Sequence, residues 1–276
     1  MPVNSGKITP VISVIIPCYN SGRYLPDALN SINNYPDKSI YEIIIVDDGS
    51  SDELTLALLD SLRKEGYKII RQQNGGPAAA RNTGVKSSNG KYLLFLDSDN
   101  KVRNDYITKG IEILNTYEDV GVVYGNVIFF GESAKPRFAT QHFDMFKLLG
   151  ENYIDICSVV RRKVWEDVGG LDENRDIMGY EDWEFWISVA SHGWKFQYVN
   201  EILYEYRVRT DSLFIQASDQ ESSMKMLQYV YGKHLNLFAQ HHSELYHKYL
   251  YYQNDRKKPL RSFIKYIYYK YFKSMA

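Results

Sequence analysis

Asp97 and Asp99 stand one residue apart, immediately after the apolar run Tyr92-Leu93-Leu94-Phe95-Leu96. Two hard carboxylate oxygens in a short loop suit Mg2+ or Mn2+, and such a cation in turn holds a diphosphate. Asp, Ser and Asn are also ordinary turn residues, so Asp97-Ser98-Asp99-Asn100 taken alone favours a plain turn. The apolar run reads as a strand buried on both faces. In an open α/β sheet, ligands collect at the carboxyl ends of the strands, which is where these two carboxylates fall.

The elements that would position them alternate in type. Val11 to Ile16 is a β-branched run closed by Pro17, followed by the loop Cys18-Tyr19-Asn20-Ser21-Gly22 and a helical stretch from Tyr24 to Ile32. Tyr41 to Val46 repeats the pattern and ends in Asp47-Asp48-Gly49-Ser50-Ser51-Asp52. Leu54, Leu58, Leu59 and Leu62 then recur at helical spacing, with Ser51 or Asp52 as N-cap. Tyr67 to Arg71 is a third strand, and Pro77 opens a helix after Asn74-Gly75-Gly76. This alternation predicts an α/β fold: a mixed, mostly parallel Rossmann-like sheet flanked by helices.

Successive strand ends therefore carry polar loops on one edge, where a nucleotide could lie. Tyr19 offers a ring for a base, Asp48 an acceptor for a base N–H, and Arg81 a cation one turn into a helix aimed at that edge. Each also has a plain structural reading: core packing, a helix-leading cap and a surface charge, respectively.

Pro17-Cys18-Tyr19-Asn20, Val46-Asp47-Asp48-Gly49-Ser50, the stretch from Asn74 to Gly84 and Asp97-Ser98-Asp99 resemble, in order and spacing, the family-2 glycosyltransferases of the GT-A fold. The resemblance runs from about Val11 to Arg209 and includes Gly170-Leu171-Asp172-Glu173. It implies inverting transfer of a sugar from a nucleoside diphosphate, usually UDP, to a hydroxyl of a glycan, lipid-linked or protein-linked acceptor. On the same resemblance Pro17, Tyr19, Asp48, Arg81 and Asp97 bind the nucleotide, Asp97 lying near ribose or metal. Asp99 ligates the divalent cation, Mn2+ or Mg2+, which acts as a Lewis acid on the leaving nucleotide.

Inverting displacement also requires a base opposite the leaving group. Gly179-Tyr180-Glu181-Asp182-Trp183-Glu184-Phe185-Trp186 places carboxylates at a helix start beside aromatics. The Glu-Asp-Trp match points to Asp182 as that base, with Glu181 and Trp183 near donor or acceptor sugar. Against this, Glu181 and Asp182 also suit a helix N-terminus electrostatically, and Trp186 reads as core. Arg209 stands where the family often has a His; it can neutralise phosphate but cannot ligate a metal, which leans toward a diphosphate clamp by Arg207 or Arg209, while both read equally well as solvated strand charges. Gly121 to Phe130 reads as a strand or hairpin, and Gly131 to Gly150 as an irregular insert.

Residues 1–215 are thus expected to form the catalytic domain, with a nucleotide-binding half over 10–100 and an acceptor half over 101–215; 216–276 form a helical, Tyr- and Lys-rich extension. In that extension Leu260, Phe263, Ile264, Ile267 and Tyr271 share one helical face, and Arg256 to Ala276 holds seven Lys and Arg with no Asp or Glu. Such a helix packs on the domain or on another copy of the chain, or lies on an anionic membrane.

The net charge of −1 gives no reason to expect a nucleic-acid partner. Two cysteines fit neither a disulfide framework nor a zinc pattern, which favours a reducing, cytoplasmic setting. No signal-peptide h-region and no run of the ~20 apolar residues of a membrane span is evident. Two other classes compete. A sugar nucleotidyltransferase would want a Gly-rich basic loop after its first strand, where this chain has Pro17-Cys18-Tyr19-Asn20. A non-catalytic nucleotide-sugar or glycan-binding subunit would not need Asp48, Asp99 and Asp182 together.

Overall fold

The computed structural model describes residues 9–103, 105–210 and 220–271. At its centre is β1 (Ile12–Cys18), flanked in parallel by β2 (Tyr41–Asp47) and β4 (Tyr92–Phe95), with β3 (Lys68–Arg71) parallel to β2 at the edge. Ile12, Val14, Ile15, Ile16 and all of β4 are fully buried. Burial on both faces explains why these strands read as unbroken apolar runs rather than as alternation.

Helices cover both faces. On one side α1 (Leu25–Asn33) turns Leu25, Ala28, Leu29 and Ile32 into the core, joined by Tyr106, Ile107 and Leu114 of α4 (Tyr106–Thr116). α2 (Glu53–Lys64) is capped by Asp52, whose carboxylate accepts from the Thr55 N–H at 2.8 Å. α3 (Pro77–Lys86) lies on β1 and β2 so closely that a Cβ on Gly84 would collide with the Ile15 side chain. Gly76 precedes it at φ +90°, a conformation that side chains rarely adopt.

Beyond β4 the sheet changes direction. β7 (Val159–Arg161) lies antiparallel between β4 and β6 (Val120–Gly131), and β8 (Lys195–Val208) runs parallel to β6 with β5 (Lys101–Val102) antiparallel at the far edge. The order is β3-β2-β1-β4-β7-β6-β8-β5, a mixed eight-stranded sheet as the sequence led one to expect. The stretch from Gly121 to Phe130 lies within one 12-residue strand, not a hairpin. The insert after it is irregular up to α5 (Met145–Gly150), whose Asp144 cap receives the Phe146 and Lys147 N–H groups. α6 (Arg162–Val168) stops at Gly169 in the left-handed conformation, a glycine C-cap.

The chain divides into two compact units, Met1–Val230 and Tyr231–Ala276. The first holds the sheet, α7 (Glu181–Ser191) and most of α8 (Gln220–Lys233). The second is a pair of packed helices, α9 (Leu235–Arg256) and α10 (Pro259–Tyr271). Residues 272–276 of the basic tail lie outside the described residues. Both cysteines are free and buried. Among the described residues no helix is long and apolar enough to cross a membrane.

Candidate active site

A cleft of about 910 Å³ opens over the carboxyl ends of β1, β2 and β4. Pro17, Tyr19, Asp48, Arg81, Asp97, Asp99, Glu181, Asp182, Trp183, Arg207 and Arg209 all line it. Residues separated by up to 192 positions thus share one cavity, because the strand ends and the start of α7 converge there. Their individual environments differ sharply.

At one end Tyr19 is 51% exposed, its ring open to the cleft. Beside it Asp48 is buried, and its carboxylate organises the loop leading to α3. Oδ1 accepts from Gln72 Nε2 at 2.8 Å and the Gly75 N–H at 2.9 Å, while Oδ2 accepts from the Gly76 N–H at 2.8 Å. A carboxylate oxygen accepts two hydrogen bonds, so Oδ2 retains capacity for one donor from the cleft. Its neighbour Asp47 accepts from the Ser50 N–H at 2.8 Å and pairs with Arg71 at 3.2 Å.

Arg81 is not an outward-facing cation. Its side chain is 4% exposed and bridges two acids, Asp97 at 2.6 Å and Glu181 at 2.8 Å. Glu181 in turn accepts from the Gly179 N–H at 2.6 Å. This bridge ties the loop after β4 to the start of α7, across 100 residues of sequence between Arg81 and Glu181. Removing one partner of such a buried ion pair leaves an uncompensated charge, a change of about 3–5 kcal/mol.

Asp99 faces Arg209, whose Nη1 lies 3.1 Å from Oδ2. Arg207 donates from Nε to the Asp99 carbonyl at 3.0 Å and reaches Asp27 at 2.5 Å. The two guanidinium groups stack on Tyr24 at 4.8 and 4.7 Å, and Arg207 also on Phe130 at 4.4 Å. Asn100, fully buried, accepts from the Arg207 N–H at 2.8 Å. The end of β8 therefore holds the Asp97-Ser98-Asp99 loop from the side opposite Arg81. Burial and the charge of Asp97 push the Asp99 carboxyl up to about 6 despite Arg209.

Asp182 sits at the second position of α7, with Oδ1 accepting from the Trp183 N–H at 2.8 Å. Burial, then the charges of Glu181 and Asp155, hold its pKa well above the ordinary carboxylate range, with Arg81 opposing. Trp183 is 3% exposed and donates its indole N–H to the Leu148 carbonyl at 2.6 Å, so it props α7 against α5 while an edge meets the cleft. Trp186 is wholly buried and donates to Ile154 O, the core role read from the sequence.

Three contributors were not singled out in the sequence. Asp155, in the segment before β7, lines the cleft near Asp97 and Asp182. Tyr206 lies within electrostatic reach of Asp155, Asp97, Asp99 and Asp182, which with burial raises its phenol. Asn82 joins α3 to the segment after α6: its amide takes Leu171 N–H and Trp165 indole N–H and gives to Leu171 O and Glu173. The adjacency of Arg81 and Asn82 was the one signal available for the last. The insert also reaches the cleft through Arg137 and Phe138, the latter packed edge-on against Phe129 and Tyr206.

The sequence profile described as Glycosyl transferase family 2 matches residues 13–169, more than half of the chain. This chain belongs to that family. An uncharacterized glycosyltransferase of Rickettsia conorii is 31% identical over 185 residues, covering 65% of this chain and 30% of the relative. The chain thus spans under a third of that relative's length. Among solved structures, Staphylococcus aureus TarS in complex with UDP-GlcNAc superposes with a TM-score of 0.59 at 20% identity, covering 82% of this chain and 72% of the other. The mannosyltransferase PcManGT of Pyrobaculum calidifontis, in complex with GDP-Man and Mn2+, gives 0.59 at 18% identity, over 83% and 65%. At these identities the two structures establish the fold that this family-2 chain shares with them.

Proposed function

We propose that this family-2 glycosyltransferase moves a sugar from a UDP-sugar to a hydroxyl of a glycan, glycolipid or glycoprotein acceptor, with inversion. The observation that carries the reading is the convergence of Asp48, Asp99 and Asp182 on one cleft. Tyr19 stacks on the base, and Asp48 Oδ2 takes the base N–H with its remaining lone pair. Arg207 and Arg209 sit against the diphosphate. Asp97 is held by Arg81 toward ribose or metal, and Glu181, on the other arm of that bridge, fixes the first turn of α7. Asp182 accepts the proton of the attacking hydroxyl, and its raised pKa brings its basicity toward that task. Trp183 borders the sugar.

A divalent cation fits the donor set. Asp99 offers a cleft-facing carboxylate, and one or two carboxylates plus substrate phosphates are the usual holding group for Mg2+ or Mn2+. Among the described residues no cluster of three or more His, Cys, Asp or Glu stands ready for a metal, so the nucleotide would complete the shell. When bound, the cation would neutralise charge on the departing diphosphate. Arg209 then exchanges its carboxylate partner for phosphate oxygens. TarS in complex with UDP-GlcNAc and PcManGT in complex with GDP-Man and Mn2+ support this reading by likeness.

Screening UDP-sugars for Mn2+-dependent UDP release tests it. UDP release that chelation abolishes is expected. Formation of UTP and a sugar 1-phosphate only when pyrophosphate is added would indicate a nucleotidyltransferase, and no turnover with intact UDP binding a non-catalytic subunit. Calorimetry with Asp99→Ala should show UDP affinity that no longer responds to Mn2+; an unchanged metal dependence would remove Asp99 from the metal site.

The C-terminal unit supports contact with an anionic membrane on the cytoplasmic side, where lipid-linked acceptors are held. Leu260, Phe263 and Ile264 are each at least 60% exposed on α10, in a segment whose charges are all basic. Sedimentation with phosphatidylglycerol vesicles but not phosphatidylcholine vesicles is expected. Self-association without vesicle binding would assign the face to a second copy of the chain.

A further inference from the structure

Of the acids that line the cleft, Glu151 and Asp155 belong to none of the sequence motifs, and Asp155 is the one within electrostatic reach of both Asp97 and Asp182. We propose that Asp155 contacts the donor, its carboxylate accepting a hydrogen bond from a hydroxyl of the transferred sugar. The inference rests on the glycosyltransferase reading above and names a contact that reading lacks.

Placement comes first. Asp155 lines the cleft and lies within electrostatic reach of both Asp97 and Asp182. The reacting carbon must lie between the leaving diphosphate and the base. A cleft-lining group close to both Asp97 and Asp182 is therefore placed to meet the sugar that carries that carbon.

Rigidity comes second. Asp155 Oδ1 accepts from the Cys157 N–H at 2.8 Å, and its own carbonyl accepts from the Ser158 hydroxyl at 2.8 Å. Ser158 leads directly into β7, which is clamped between β4 and β6. The carboxylate is thus presented from the sheet rather than from a free loop, which suits an acceptor that must select one hydroxyl.

The third point is unmet hydrogen-bonding capacity. Arg81 attracts Asp155, yet its hydrogen bonds go to Asp97 and Glu181. The buried Tyr204 hydroxyl is turned toward Asp155 and eases its charge, without reaching hydrogen-bond geometry with any described group. A carboxylate can accept about four hydrogen bonds, of which the Cys157 N–H fills one, so capacity remains for a sugar hydroxyl beside the Tyr204 and Tyr206 phenols. A carboxylate that only capped the Cys157 turn would have no need of a place on the cleft wall.

The test uses the UDP-sugar that the wild-type chain turns over best, with its monodeoxy analogues, against Asp155→Asn and Asp155→Ala. Both variants should bind UDP alone as the wild type does, which also reports folding. Their kcat/KM for the full donor should fall roughly 10- to 100-fold, the worth of one hydrogen bond to a charged group. For a single deoxy position, wild type and variants should turn over alike, because the contact is already missing. Equal losses on every deoxy donor, or no loss on the full one, would overturn the assignment. If Asp155→Ala loses UDP binding, Asp155→Asn carries the same comparison. Failure of the wild type to release UDP from any donor would instead sink the glycosyltransferase reading itself.

Discussion

At the Tyr19 end of the cleft the acids are surrounded by donors; at the Asp182 end they are not. Asp47 and Asp48 together receive the N–H groups of Ser50, Gly75 and Gly76, with Gln72 and Arg71 beside them. Asp155 and Asp182 each receive one backbone N–H among the described residues, from Cys157 and Trp183, and face other acids. The first arrangement makes carboxylates into fixed scaffolding with a lone pair to spare. The second makes them basic and ready to accept protons, since burial and like charge both disfavour ionisation. Fixed charge suits recognition of the nucleotide, and a raised pKa at Asp182 suits proton transfer, so the contrast separates the two ends of one cavity.

The sharpest way to break that division is at Asp182. Asp182→Asn should lower kcat by about 10³-fold, within the range that one general base contributes, while UDP affinity changes little. Unchanged turnover would move the base elsewhere. In the wild type, kcat/KM should fall as pH drops through the raised pKa of Asp182, giving an acid limb above the ordinary carboxylate range. A limb near pH 4 would contradict the burial argument.

Next comes the bridge between the two ends. Arg81→Met leaves the buried Glu181 and the half-buried Asp97 without their cation and should cost about 3 kcal/mol in urea unfolding. A change under about 1 kcal/mol would show that water replaces the guanidinium readily.

A subtler effect separates the ends by stability. Burial and Asp97 raise Asp155 in the folded chain to about 7, from 3.8 for an unperturbed side chain. A raised folded value means stability present below the unfolded value and lost as pH rises toward about 7. Asp155→Asn should therefore melt higher than wild type at pH 8, and the gap should close by pH 4. A pH-independent gap would mean that charge is not the cause.

The smallest effect is expected at Tyr19. Removing an exposed ring in Tyr19→Ala should weaken UDP binding about tenfold, in the range of one base–aromatic stack, and leave thermal stability unchanged. Loss of stability instead would make Tyr19 part of the core.

Much of the nucleotide-side half was readable because its elements are local. Apolar runs such as Tyr92 to Leu96 and Pro77 at a helix start each encode geometry within a few residues. The far half was less so. β7 is three residues long, too short for any periodicity, and β5 has two. Arg81 looked like a phosphate-facing cation because helix position alone cannot reveal that Glu181 closes over it. Asp155 carries no motif at all, and its importance comes from neighbours 58 residues before and 27 after it in the chain.

By itself the sequence determined which groups were available and which strands would be buried, since backbone propensity and apolar patterning act over a few residues. It also marked four strand-end motifs whose order matches a known family. Only the folded chain decided which acids have donors and which face one another. Burial and charge proximity depend on distances between segments far apart in the chain, and those distances exist only once the sheet, α3 and α7 have packed.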